Sequence, residues 1–140
     1  MDILYKDICD IKNGIIVHQV NCRHVMGAGV ALAIRRKYPK HYSDFMSKSA
    51  TLGDIVVTKI NNSLYIVGMY SQLNYGSKVR QTDYEAMKIC LDKIIDFRKA
   101  HKLVVYMPYG IGCGLAGGDW NIVSEIILDR LPMTKFCSIE

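Results

Sequence analysis

Gly14-Ile15-Ile16-Val17-His18-Gln19-Val20-Asn21-Cys22-Arg23-His24-Val25-Met26-Gly27-Ala28-Gly29 is the stretch on which the fold class turns. Its first half, residues 14–20, is a near-continuous β-branched run, the pattern of a central strand buried on both faces. A glycine-bearing loop follows. Residues 28–38 then read as a helix, because Val30, Ala33, Ile34 and Tyr38 recur at helical spacing. Pro39 stops it by biasing Tyr38 away from the α region. Arg35, Arg36 and Lys37 occupy the last turn, where cations suit the negative end of the helix dipole.

Working outward, residues 3–5 make a short strand and residues 41–48 a short helical piece. Residues 54–59 and 63–69 read as two strands around Asn61-Asn62, a pair that tolerates positive φ and predicts a tight hairpin. Residues 70–81 form a polar loop. Thr82-Asp83-Tyr84-Glu85 fits a capping box, with Tyr84, Met87, Leu91 and Ile94 following on one helical face. Residues 103–107 are another buried-type strand, 108–118 a glycine-rich loop, and 120–131 a helix ended by Pro132. Residues 133–138 make a last strand. Strands alternating with helices, with an antiparallel pair inserted, predict a three-layer α/β/α sandwich on a central mixed β-sheet.

The chain has 140 residues, half of them apolar, which suits one domain over 1–140 with a real core. Its formal charge of +5 favours an anionic ligand but is too diffuse to demand nucleic acid. No apolar run approaches the ~20 residues of a membrane span, so no membrane partner is expected. The first residues lack the build of a signal peptide. Five cysteines at irregular spacing, with no Cys-x-x-Cys pair, argue against a disulfide scaffold and a structural zinc site. Reduced thiols and a cytoplasmic location are expected, with no metal and no cofactor.

Two loops carry the chemistry. The first runs from Val20 to Gly29. The second is Pro108-Tyr109-Gly110-Ile111-Gly112-Cys113-Gly114-Leu115-Ala116-Gly117-Gly118. Both join a core strand to a helix, where unpaired N–H groups attract phosphate, and glycine lets the backbone form concave anion nests. Neither is a Walker A sequence, and the first lacks Gly-x-Gly-x-x-Gly. Together they could grip a diphosphate at the carboxyl edge of the sheet.

These residues resemble the macrodomain family. The resemblance rests on Asn21-Cys22, Met26-Gly27-Ala28-Gly29-Val30-Ala31, Gly110-Ile111-Gly112-Cys113-Gly114-Leu115 and Asp119-Trp120, and it covers nearly the whole chain. Within the family the sequence is most similar to small phage- and yeast-type proteins related to ADP-ribose 1''-phosphate phosphatase. It is also similar to the branch that removes ADP-ribose from protein carboxylates or DNA bases. The resemblance implies ADP-ribose or ADP-ribose 1''-phosphate as ligand, with ADP-ribosylated macromolecules as further partners. It places Asp7 on the adenine amino group, Ile8 beside the ring through its backbone, and Asn21 on the distal ribose. Gly27, Ala28, Gly29 and Val30 then make the first phosphate loop, and Gly110, Ile111, Gly112, Cys113, Gly114 and Leu115 the second.

The departures bear on mechanism. Gln72 stands where the glycohydrolase branch carries an attacking lysine, and Ala116 where some members carry an aspartate. Lys6 stands where many members have glycine. His18 matches a histidine of the yeast-type phosphatase, and an imidazole beside a phosphate can act as acid or base. The resemblance therefore points to a phosphatase, with His18 and Asn21 as the catalytic pair. A glycohydrolase and a non-catalytic ADP-ribose reader are the alternatives. Plainer roles compete: His18 as a hydrogen-bonded core residue, Asp7 as a turn cap, Asp119 as a helix cap, Trp120 as core packing, and Cys22 and Cys113 as small loop residues. Arg23 and His24 read as exposed. Three residues of ideal strand would put His18 and Asn21 on opposite faces, so a shared site requires the strand to end or bulge between them.

Overall fold

The computed structural model describes residues 1–139. Six strands form one sheet: β1 (Asp2–Tyr5), β2 (Gly14–Asn21), β3 (Ile55–Asn61), β4 (Leu64–Gln72), β5 (Val105–Pro108) and β6 (Lys135–Ser138). Their spatial order is β1-β6-β5-β2-β4-β3. Every neighbouring pair is parallel except the β3–β4 hairpin. The helices are α1 (Gly29–Lys37), α2 (Pro39–Ser47), α3 (Tyr84–His101) and α4 (Trp120–Arg130), with a 3-10 turn at Ile8–Asp10. This is the mixed-sheet sandwich that the alternation of elements predicts.

Side-chain alternation along β2 assigns the layers. Ile15 and Val17 pack with Met87, Leu91 and Ile94 of α3 and with Val123 and Ile127 of α4. Ile16 turns to the opposite face and meets Ile34 of α1. Val20, on that same face, meets Phe45 of α2 and Met26 of the first loop. Both faces are covered, which explains the β-branched run and the nearly complete burial of β2.

Three local readings change. Strand β4 extends to Gln72, so the loop expected from residue 70 begins later. It continues because Tyr70 remains in the core and Tyr70 N donates to Asp54 O. Asp83, not Thr82, caps α3 by accepting from Ala86 N. Thr82 is committed elsewhere: its hydroxyl donates to Gly112 O. His24 is only half-exposed and bonds Lys48 O through Nε2, which fastens the first loop to the end of α2. Between α1 and α2, Tyr38 ends one helix and precedes Pro39 at the start of the next.

Candidate functional site

Because β1, β6, β5, β2 and β4 run parallel, their carboxyl ends share one edge. The first loop leaves β2 there, the second leaves β5, and these two strands are neighbours. A cleft of about 690 Å³ lies between the loops, a volume suited to a nucleotide-sized ligand. Its walls include Gly27, Ala28, Gly29 and Val30 from the first loop, and Gly110, Ile111, Gly112, Gly114 and Leu115 from the second. Tyr75 and Tyr109 stand on the rim, about half-exposed.

The first loop is built around Asn21. Its Oδ1 accepts from Arg23 N and Val25 N, and its Nδ2 donates to Val25 O. Met26, almost fully buried, anchors the loop below. The loop delivers the chain to Ala28, the N-cap of α1, which offers no side-chain acceptor. The first N–H groups of α1 therefore face the cleft without a capping side chain, and such groups carry a partial positive charge. The register slips between Val20 and Asn21. That irregularity is the break the sequence required, and His18 and Asn21 both reach the cleft wall.

A glutamine organises the second loop. Gln19 Nε2 donates to Gln72 Oε1 at 2.7 Å and to Thr82 Oγ1 at 3.0 Å, while its Oε1 accepts from Ser71 Oγ. Thr82 then passes a proton donor to Gly112 O at 2.6 Å. Gly118 N donates to the same carbonyl. This amide network ties β2, β4 and both flanking loops into one wall. Its signal in the sequence is a glutamine inside an otherwise apolar buried run.

The Macro domain family model matches residues 17–127. The chain belongs to the macrodomain family. An uncharacterized 17.5 kDa protein of Enterobacteria phage T4 is 30% identical over 125 residues, covering 80% of this chain and 76% of that one. A Mycobacterium tuberculosis DNA ADP-ribosyl glycohydrolase is 25% identical over 118 residues. That match covers 79% of this macrodomain but only 32% of the mycobacterial protein. Among solved structures, a Bacteroides thetaiotaomicron protein superposes with TM-score 0.85 at 28% identity, covering 99% of both chains. Thermosipho africanus DarTG in complex with ADP-ribose superposes with TM-score 0.79 at 17% identity, covering 98% of this macrodomain and 41% of that chain.

Three expected site residues of the macrodomain lie off the cleft wall. Asp7, at the carboxyl end of edge strand β1, uses Oδ1 to accept from Cys9 N. The Ile8 side chain is buried under α1. Cys113 packs against the core, and burial pushes its thiol up to about 11. Burial also raises the Cys22 thiol, so neither sulfur is poised as a thiolate. Asp119 caps α4 by accepting from Asn121 N, and Trp120 packs against Tyr109 and Phe136. Gln72 has both ends of its amide engaged, with Gln19 and with Asn74 O. Among the described residues no group of three His, Cys, Asp or Glu is placed to hold a metal ion. No described helix is long and apolar enough to cross a membrane.

His18 is the polar group with the least ordinary surroundings. It is 1% exposed, and its Nε2 lies 2.8 Å from His41 Nε2. Its Nδ1 is buried without a hydrogen-bond partner among the described residues. Burial first, then the neighbouring His41, holds its pKa well below the usual imidazole range. His18 is thus neutral at physiological pH.

Proposed function

We propose that this macrodomain binds ADP-ribose 1''-phosphate in the cleft and hydrolyses it to ADP-ribose and inorganic phosphate. The observation that carries the reading is His18: a buried neutral imidazole with one unpartnered nitrogen, on the same cleft wall as Asn21. The uncapped start of α1 and the second glycine loop supply N–H groups for a diphosphate. Tyr75 and Tyr109 supply aromatic faces at the rim. Asn21 holds the first loop and retains one amide hydrogen for a ribose hydroxyl. A neutral His18 accepts a proton from the attacking water.

The mycobacterial relative favours a second reading, removal of ADP-ribose from DNA. Against a lysine-dependent version stands Gln72, an amide that cannot attack the ribose carbon.

Incubating the protein separately with ADP-ribose 1''-phosphate, ADP-ribosylated protein and ADP-ribosylated DNA distinguishes the readings. Inorganic phosphate should be released from the first. His18→Ala should lower that rate by about 100- to 10,000-fold with little change in ADP-ribose affinity. Release of ADP-ribose from DNA or protein, with no phosphate release, overturns the phosphatase reading. Tight ADP-ribose binding with no turnover of any substrate leaves a reader.

A further inference from the structure

A chain of four side chains runs from the cleft wall to the half-exposed surface of α2. His18 Nε2 meets His41 Nε2 at 2.8 Å. His41 Nδ1 meets Thr58 Oγ1 at 2.8 Å. Thr58 Oγ1 donates to Asp44 Oδ2 at 2.7 Å. His18, His41 and Thr58 are each 1% exposed or less.

The donor inventory gives this chain one direction. An ionised carboxylate only accepts, so the single Thr58 hydroxyl proton goes to Asp44. Thr58 Oγ1 must then accept from His41, which puts the His41 proton on Nδ1. A neutral His41 accordingly has a lone pair on Nε2 and accepts there from His18. His18 carries its proton on Nε2, and Nδ1 is left with a lone pair. Each contact is satisfied in this arrangement. The reverse direction would set the Thr58 oxygen against the carboxylate with no proton between them.

We infer that Asp44, Thr58 and His41 are positioning residues that hold His18 in the Nε2–H tautomer, leaving its enclosed Nδ1 as an unpartnered proton acceptor in a residue of the cleft wall. The inference rests on the phosphatase reading only for the use made of that lone pair. Nδ1 is enclosed in the ligand-free structure; once it is uncovered and takes a proton from a water, the new N–H bond forms as the O–H bond breaks. The Nε2 proton of His18 passes to His41 Nε2, the Nδ1 proton of His41 to Thr58 Oγ1, and the Thr58 proton to Asp44. Both imidazoles end neutral in reversed tautomers, and Asp44 ends as a carboxylic acid. No buried imidazolium has to persist, which matters because an isolated charge is disfavoured in a desolvated layer. The same geometry makes His18 an acceptor before it can be an acid.

Imidazole nitrogen NMR on the full, ligand-free chain tests this directly. At neutral pH the His18 Nε2 resonance should fall in the protonated range and Nδ1 in the non-protonated range. Thr58→Val cuts the chain and should move both His18 resonances toward intermediate positions, as the two tautomers mix. Thr58→Ser should restore them. Should Thr58→Val not fold, Asp44→Ala at the half-exposed end removes the same directional anchor and should produce the same mixing. A parent protein with its His18 proton on Nδ1 overturns the inference. So does a folded variant of either kind with unchanged His18 resonances. No substrate enters the measurement, so absent phosphate release overturns the phosphatase reading while the tautomer result stands or falls separately.

Discussion

His18 and His41 face each other through their Nε2 atoms at 2.8 Å, in the layer between β2 and α2. Neither ring is positioned to carry charge. Burial lowers His41 from its ordinary value of 6.5 to about 4, although Asp44 opposes the shift. His18 is likewise held well below the usual imidazole range, by burial first and then by His41 itself.

This pair makes stability depend on pH in a defined direction. The unfolded chain takes up a proton on His41 near 6.5, whereas the folded protein does so only near 4. Between those values the unfolded state binds more protons, so stability falls as pH falls. The contribution is intact above the window and lost by its lower end. For His41 alone it amounts to roughly 3 kcal/mol. Urea unfolding curves collected above, within and below the window should show this loss. A flat profile across it would mean that the pair is already charged or is exposed.

Gly29 begins α1 at φ +57°, and a Cβ built there meets nothing within 4 Å. Gly29→Glu therefore fits the space, at a backbone cost of about 1–2 kcal/mol for a left-handed conformation. Its carboxylate would compete for the N–H groups proposed to hold phosphate. Calorimetry should show ADP-ribose affinity reduced by about tenfold or more, equivalent to ~1.4 kcal/mol. Unchanged affinity in the folded variant would remove the first loop from the phosphate site.

Gly118 presents the opposite constraint. A Cβ there would stand 2.6 Å from Gly112 O, a backbone atom that cannot rotate away. Gly118→Ala should destabilise the protein by about 1–3 kcal/mol, as overpacking usually does. The displaced Gly112 carbonyl is also the acceptor for Thr82 and Gly118 N. ADP-ribose affinity should fall together with the melting temperature. A stable variant of normal affinity would show that the second loop relaxes freely.

Asp7 has two roles to separate. Its Oδ1 accepts from Cys9 N, and the family resemblance places the carboxylate against adenine. Asp7→Ala should cost about 1 kcal/mol of stability through the lost cap. If the carboxylate also accepts from the adenine amino group, the preference for ADP-ribose over IDP-ribose should narrow. Competition binding with both ligands checks this, and an unchanged preference would leave Asp7 as a cap alone.

The order of elements was legible in the sequence because its causes are local. The β-branched run of β2, the helical spacing of Val30, Ala33 and Ile34, and the stop at Pro39 each act within a few residues. The two glycine loops were legible for the same reason, as was the need for a break between His18 and Asn21. Strand order was not, because parallel strands joined through helices can neighbour one another in several ways without any change in local pattern. Only the order β5-β2-β4 brings both glycine loops and Gln72 to one cleft. Gln19 acquires its purpose from Gln72 and Thr82, 53 and 63 residues away. His18 acquires its direction from His41, 23 residues away on α2, and beyond it from Thr58 on β3 and Asp44. A hydrogen-bond chain is defined by register and layer packing, which no single segment encodes. The sequence by itself determined which polar residues lie in the buried run of β2, and the tertiary structure decided which of their atoms are satisfied and which one is left without a partner among the described residues.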